Sequence, residues 1–119
     1  MPETWMTPTG WPASLTIGKR RFLRGLGTHA PSTIVFSLGG QYRRFQAWAG
    51  ADANTGPSVT FEVWVDGVQR WHSGLMTRET PAAWVDVDIS GAKTLKLVVG
   101  DAGDLTSDHA DWAEAKLLR

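Results

Sequence analysis

The chain is expected to fold as an all-β sandwich of the jelly-roll kind, built from eight or nine short antiparallel strands. Three features predict it. Apolar and polar residues alternate with a period of two in several runs, the pattern of a strand with one buried face. Gly, Pro, Asn and Asp separate those runs at close intervals, as tight turns require. No segment holds a helical period over three turns, and neither a strand–helix–strand rhythm nor an internal repeat occurs, so nothing points to an α/β or solenoid architecture.

Residues 1–14 hold three prolines and two tryptophans, Trp5 and Trp11, and read as an irregular lead-in. Leu15–Ile17 and residues 21–23 flank a turn at Gly18-Lys19 and suggest a short hairpin. Gly25-Leu-Gly-Thr-His-Ala-Pro31 reads as a glycine-rich connection. Residues 33–38 form the next strand, stopped by Gly39-Gly40. Residues 42–49 follow, with Phe45, Ala47 and Ala49 facing inward. Residues 51–57 are a loop by composition. Val59–Val65 alternates cleanly, with Val59, Phe61, Val63 and Val65 on one face. Asp66-Gly67 between two valines is a strong signal for a two-residue hairpin turn, and residues 68–73 are the return strand. Residues 74–81 form a loop. Residues 83–89 point Val85, Val87 and Ile89 inward, and Ser90-Gly91 turns the chain into residues 94–99. Residues 112–118 close the domain as a strand, although Ala, Glu, Lys and Leu there also favour helix.

A chain of 119 residues fits a single domain, taken here as residues 1–119. Apolar residues at 42% and charged residues at 20% suit a packed core rather than disorder. Twelve basic residues balance twelve acidic ones, so no net field draws the chain to nucleic acid or an anionic membrane. Neither is expected as a partner. The short basic runs Lys19-Arg20-Arg21 and Arg43-Arg44 read as solvated strand faces. The chain has no cysteine, which excludes disulfides, thiolate zinc sites and cysteine nucleophiles. Its N-terminus lacks the basic segment and apolar core of a signal peptide. No run approaches the roughly 20 apolar residues of a membrane helix. A domain cut from a longer secreted protein fits these facts equally well.

The densest group of ionisable residues is Asp101-Ala-Gly-Asp-Leu-Thr-Ser-Asp-His-Ala-Asp-Trp112. It reads as a polar loop suited to a hard cation, a hydroxyl-rich ligand, or a structural hydrogen-bond network. Its spacing departs from an EF-hand, because Gly103 and Leu105 stand where oxygen ligands belong. A looser calcium site remains open, with Asp52, Asp101, Asp111 and Glu114 as candidate ligands. The competing reading is a set of aspartates capping turns. Glycoside hydrolysis needs two facing carboxylates, and Asp104, Asp108, Asp111 and Glu114 are of the right type. However, there is no G-x-S-x-G elbow, the three histidines lack metal-ligand spacing, and small sandwiches rarely build a deep cleft alone. No enzymatic activity is expected.

Seven tryptophans exceed what a core of this size requires. Alternation puts Trp48 with Arg44 and Gln46, Trp64 with Thr60 and Glu62, and Trp84 with Asp86 and Asp88. Three indoles therefore fall on otherwise polar faces. A sugar ring offers an apolar C–H face for stacking and hydroxyls for polar neighbours, and such faces supply both. The plainer alternative is that loops or the N-terminal segment cover these indoles.

Several segments occur together in order: Gly25-Leu-Gly-Thr-His-Ala30, Phe45, Val59-Thr-Phe-Glu-Val63 with Asp66-Gly67, Val87-Asp-Ile-Ser-Gly-Ala-Lys-Thr-Leu-Lys-Leu97, and Asp108-His-Ala-Asp-Trp-Ala-Glu-Ala115. In this the chain resembles the NPCBM family of carbohydrate-binding-module domains attached to bacterial glycoside hydrolases. The pairing of G-L-G-T-H-A early with D-H-A-D-W late is the specific part. The resemblance implies a galactose-binding-like β-sandwich and non-catalytic binding of glycans, galactose-containing sugars foremost. It also implies a structural calcium in some members and a setting outside the cell or at its surface, within a larger bacterial protein beside a catalytic domain. On this basis His29, Trp48, Trp71, Arg78, Asp104, Asp108 and His109 are the candidate sugar-binding residues. A hydrogen bond from His29 to Asp108 or Asp111 across the sandwich would fix two loops together. The alternative function is a structural or protein-interaction sandwich whose tryptophans pack against a neighbouring domain.

Overall fold

The computed structural model describes residues 3–5, 15–17, 20–22, 25–29, 32–51, 58–77, 80–100 and 109–119. Eleven strands occur among them: β1 (Glu3–Trp5), β2 (Leu15–Ile17), β3 (Arg20–Phe22), β4 (Gly25–His29), β5 (Ser32–Ser37), β6 (Arg44–Ala51), β7 (Val59–Val65), β8 (Val68–Met76), β9 (Ala83–Asp88), β10 (Thr94–Gly100) and β11 (His109–Leu118). All pairings are antiparallel. One sheet runs β9–β6–β11, and β4 and β1 lie end to end along the far edge of β11. The second sheet runs β5–β10–β7–β8, and β2 pairs with β3 in a separate hairpin.

The all-β sandwich expectation holds, with more strands than the eight or nine expected. Four local readings are corrected. Gly25–His29 is a strand rather than a connection, because all five residues pair with β11. The lead-in contains β1, which pairs with the end of β11. The polar stretch expected to be loop up to the strand beginning at residue 112 is strand from His109 onward. The return strand of the central hairpin continues past residue 73 to Met76. Residues 113–118, where helix propensity competes, are strand because β6 and β1 hold them in a ladder.

The core lies between the sheets and follows the alternation. Phe45, Ala47 and Ala49 from β6, Phe61 and Val63 from β7, Val85 from β9, and Leu95 and Leu97 from β10 are fully buried. Trp112 of β11 is the largest fully buried side chain. It meets Phe61 of the opposite sheet edge-on at 5.0 Å and Phe45 of its own sheet at 6.2 Å, so one indole joins the two layers.

Turn chemistry sets the register. Asp66 and Gly67 both have positive φ (48° and 80°), as a type I′ hairpin turn demands. The Asp66 carboxylate then accepts hydrogen bonds from the Lys93 and Thr94 amides at 3.0 and 2.9 Å, tying this turn to the start of β10.

Candidate functional site

The outward face of the β9–β6–β11 sheet carries Arg44, Gln46 and Trp48 from β6 and Trp84, Asp86 and Asp88 from β9. Cross-strand register puts Trp48 directly opposite Trp84, and Ala113 of β11 opposite Trp48 on its other side. The two indoles meet with ring centres 5.1 Å apart and planes inclined at 54°. Trp48, on the inner strand, is half-buried and packs on Ala113. Trp84, on the edge strand, stays 46% exposed, a large fraction for an indole.

Glu114 and Lys116 of β11 complete an open cavity of about 530 Å3 with these two tryptophans. Glu114 arrives there through a β-bulge. Opposite the two-residue step from Trp48 to Gln46 of β6, β11 advances three residues from Ala113 to Lys116, and Glu114 within this bulge takes φ +50°. A bulge adds a residue to one strand and re-aims side chains.

One row further along the same face, Arg44 Nε donates to Asp86 Oδ1 at 2.6 Å. The Asp86 hydrogen bond and charge hold the Arg44 guanidinium above its ordinary range. Asp88 is held below the ordinary carboxylate range, first by the Ser90 amide, then by the Ser90 hydroxyl, with help from Arg44 and Arg70. The outward face is therefore aromatic at the Trp48–Trp84 row, with a fixed ion pair further along it.

Trp64 has a different fate, on the other sheet. Its Nε1–H donates to Glu62 Oε1 at 2.7 Å, and Lys96 Nζ sits 4.9 Å from its ring centre. Its donor and one ring face are already engaged.

The residues expected to bind sugar do not gather in one place. Trp48 lies at the paired-indole cavity. Trp71 of β8 is half-buried against the core and lines a second cavity of about 460 Å3 between the edge strands β8 and β9, with Arg70, Asp86 and Asp88. His29 and His109 are direct register partners across β4 and β11. They are thus neighbours within one sheet, joined by the backbone ladder of β4 and β11, and the expected His29–Asp108 contact lies outside the described residues. They stand four residues along β11 from the Ala113 row, ~13 Å at ~3.3 Å per residue. Arg78, Asp104 and Asp108 lie outside the described residues.

Of the calcium candidates, Asp52 and Asp101 also lie outside them. Asp111 is 2% exposed on β11, opposite Gly50, and Glu114 lies beyond it at the indole cavity. Among the described residues no three His, Asp or Glu side chains converge on a metal position. Asp111 is a buried polar side chain that is already engaged in contacts within the protein.

Sequence reasoning placed Trp84 on a polar face but did not select it, and it assigned Glu114 to a metal. The available signal was the shared polarity of the Trp48 and Trp84 strand faces. What was missing was the β6–β9 register.

The NPCBM/NEW2 domain profile matches residues 6–118. The chain is 31% identical over 108 residues to Alpha-1,3-galactosidase B of Akkermansia muciniphila, covering 86% of this chain and 14% of that protein. It spans only 7% and 14% of the lengths of the two curated relatives it matches. Among solved structures, it is similar to CBM51 from Clostridium perfringens GH95 in complex with methyl-galactose, with 37% identity and a TM-score of 0.80, covering 98% of this chain and 87% of that one. It is also similar to the Clostridium perfringens ZmpB structure of CBM51-2 in complex with GlcNAc and INT domains, with 34% identity and a TM-score of 0.80, covering 98% of this chain and 27% of that one.

Proposed function

The chain belongs to the NPCBM/NEW2 domain family and is a carbohydrate-binding module; from that premise we propose that it binds a galactose-type or N-acetylhexosamine sugar without catalysis, on the paired indoles Trp48 and Trp84. The observation that carries this reading is an indole pair, half-buried on one side and open on the other, with a carboxylate and an ammonium at the same cavity. The exposed indole face stacks against a C–H face of the sugar, and Glu114, Lys116 and Gln46 meet its hydroxyls. The inclination of 54° rules out a long flat strip. It suits one sugar ring, or a chain end, better than an extended polymer. A shallow site of this kind gives Kd values on the order of millimolar to tens of micromolar for a single sugar.

The biological role follows from the length of the relatives. A module spanning a small part of a much larger protein serves to hold an attached catalytic domain near its glycan, outside the cell or at its surface. A glycan array followed by calorimetric titration with methyl-galactose and GlcNAc tests the reading. Binding to at least one terminal sugar is expected, and Trp84→Ala should weaken it by roughly tenfold or more. A folded chain that binds no glycan contradicts it.

A structural calcium that includes Asp111 is part of the same proposal. It predicts a melting temperature that rises with calcium and falls with EDTA, and a melting curve indifferent to both removes it.

A further inference from the structure

Two non-glycine residues among those described have positive φ, Asp66 and Glu114. The first has an ordinary explanation. Asp66 opens a type I′ turn that requires this conformation, aspartate tolerates it better than most residues, and its carboxylate is spent on the Lys93 and Thr94 amides. Glu114 has none of these. It sits inside a strand, glutamate has no local hydrogen bond to reward the left-handed region, and glycine would occupy the position at less cost. Among the described residues no hydrogen bond or ion pair occupies its carboxylate. Lys116, which lines the same cavity, is engaged. A residue with positive φ, placed by a bulge at an indole cavity and with no carboxylate partner among the described residues, is the arrangement in which backbone strain points to function.

We propose that Glu114 is the specificity-determining residue of the indole site, accepting hydrogen bonds from two adjacent hydroxyls of a neutral terminal sugar. This rests on the reading of Trp48 and Trp84 as the sugar platform. The indoles supply apolar area that nearly any sugar ring can use, so they discriminate weakly. A carboxylate offers two acceptor oxygens and no donor. It rewards a vicinal diol and penalises a carboxylate or sulfate in the same place by repulsion between like charges. The bulge is what brings this group over the platform, because an unbulged β11 would alternate its side chains past the site.

The test compares the wild-type chain with Glu114→Gln, Glu114→Gly, Trp48→Ala and Trp84→Ala, titrated with methyl-galactose and GlcNAc and melted in parallel. Methyl-galacturonic acid serves as an anionic probe. Glu114→Gly is expected to melt no lower than wild type, since it relieves the left-handed backbone, yet to bind the neutral sugars roughly tenfold or more weakly. Glu114→Gln is expected to lose several-fold in neutral-sugar affinity and to narrow the preference for methyl-galactose over methyl-galacturonic acid. A merely structural glutamate would not move that preference. If the tryptophan variants lose binding while both Glu114 variants bind and discriminate as wild type does, the role of Glu114 is wrong and the platform stands. If the tryptophan variants bind as wild type, or the wild-type chain binds neither neutral sugar, the platform fails and this inference fails with it.

Discussion

Trp64, Trp48 and Trp84 all follow the same sequence rule, an indole among polar neighbours on one strand face, yet their environments differ residue by residue. Trp64 donates its N–H to Glu62 and lies under Lys96, so a sugar would have to displace contacts already made. Trp64→Ala is therefore expected to leave glycan affinity within about twofold of wild type, and to cost less than about 1 kcal/mol of stability as a surface change. The comparison with Trp84→Ala, measured by the same titration, separates a platform from a decorated surface. Asp66 makes a second prediction at this scale. Its carboxyl is held below the ordinary 3.8, first by the Thr94 amide and then by the Lys93 amide. A carboxyl depressed on folding contributes stability that is complete above its unfolded value and is lost as pH falls through the lower folded one. Asp66→Ala should thus melt below wild type at about pH 7, and the gap should shrink as pH falls below about 4. A gap that keeps its size at low pH contradicts this account of Asp66.

The elements divide into those the sequence announces and those that only their partners create. The hairpin at Asp66-Gly67 is announced: the dipeptide demands positive φ, and the valines on either side pair as Val65 and Val68. Gly67→Ala, at φ +80°, should destabilise by about 1–2 kcal/mol in chemical denaturation, although its added methyl group would meet nothing nearby. The strand Gly25–His29 is not announced. Two glycines in five residues, without alternation, look like a connection, and the segment is a strand because β11 lies alongside. The first residues of β11 were hidden for a related reason. His109-Ala-Asp-Trp112 mixes one core indole with polar residues, and burial of Asp111 breaks the simple inside–outside pattern. The bulge at Glu114 was equally silent, since a one-residue mismatch is a property of two strands together.

At the scale of the whole molecule, the core was legible and the site only in part. Odd-numbered burial in β7, β9 and β10 follows from period-two alternation, because a one-residue slip would expose every core side chain. The sequence put Trp112 at the start of the closing strand without giving its side chain a place, and it is the indole on which the two sheets meet. Trp112→Ala should cost about 3–5 kcal/mol, a large share of the stability of a domain this size, read as a lowered midpoint in urea. Trp48 and Trp84 are separated along the chain, and nothing in either segment says that they meet. Their pairing is a consequence of the β6–β9 register, which the assembled sheet decides.

The central claim is that sugar binds at this one indole pair. The most direct measurement is a two-dimensional amide NMR titration of the folded chain with methyl-galactose, following the seven indole N–H signals assigned by single substitution. The signals of Trp48 and Trp84 are expected to shift together along one saturating curve, while those of Trp64 and buried Trp112 stay in place. Saturable shifts confined to other tryptophans, with Trp48 and Trp84 unmoved, would contradict the assignment of the site.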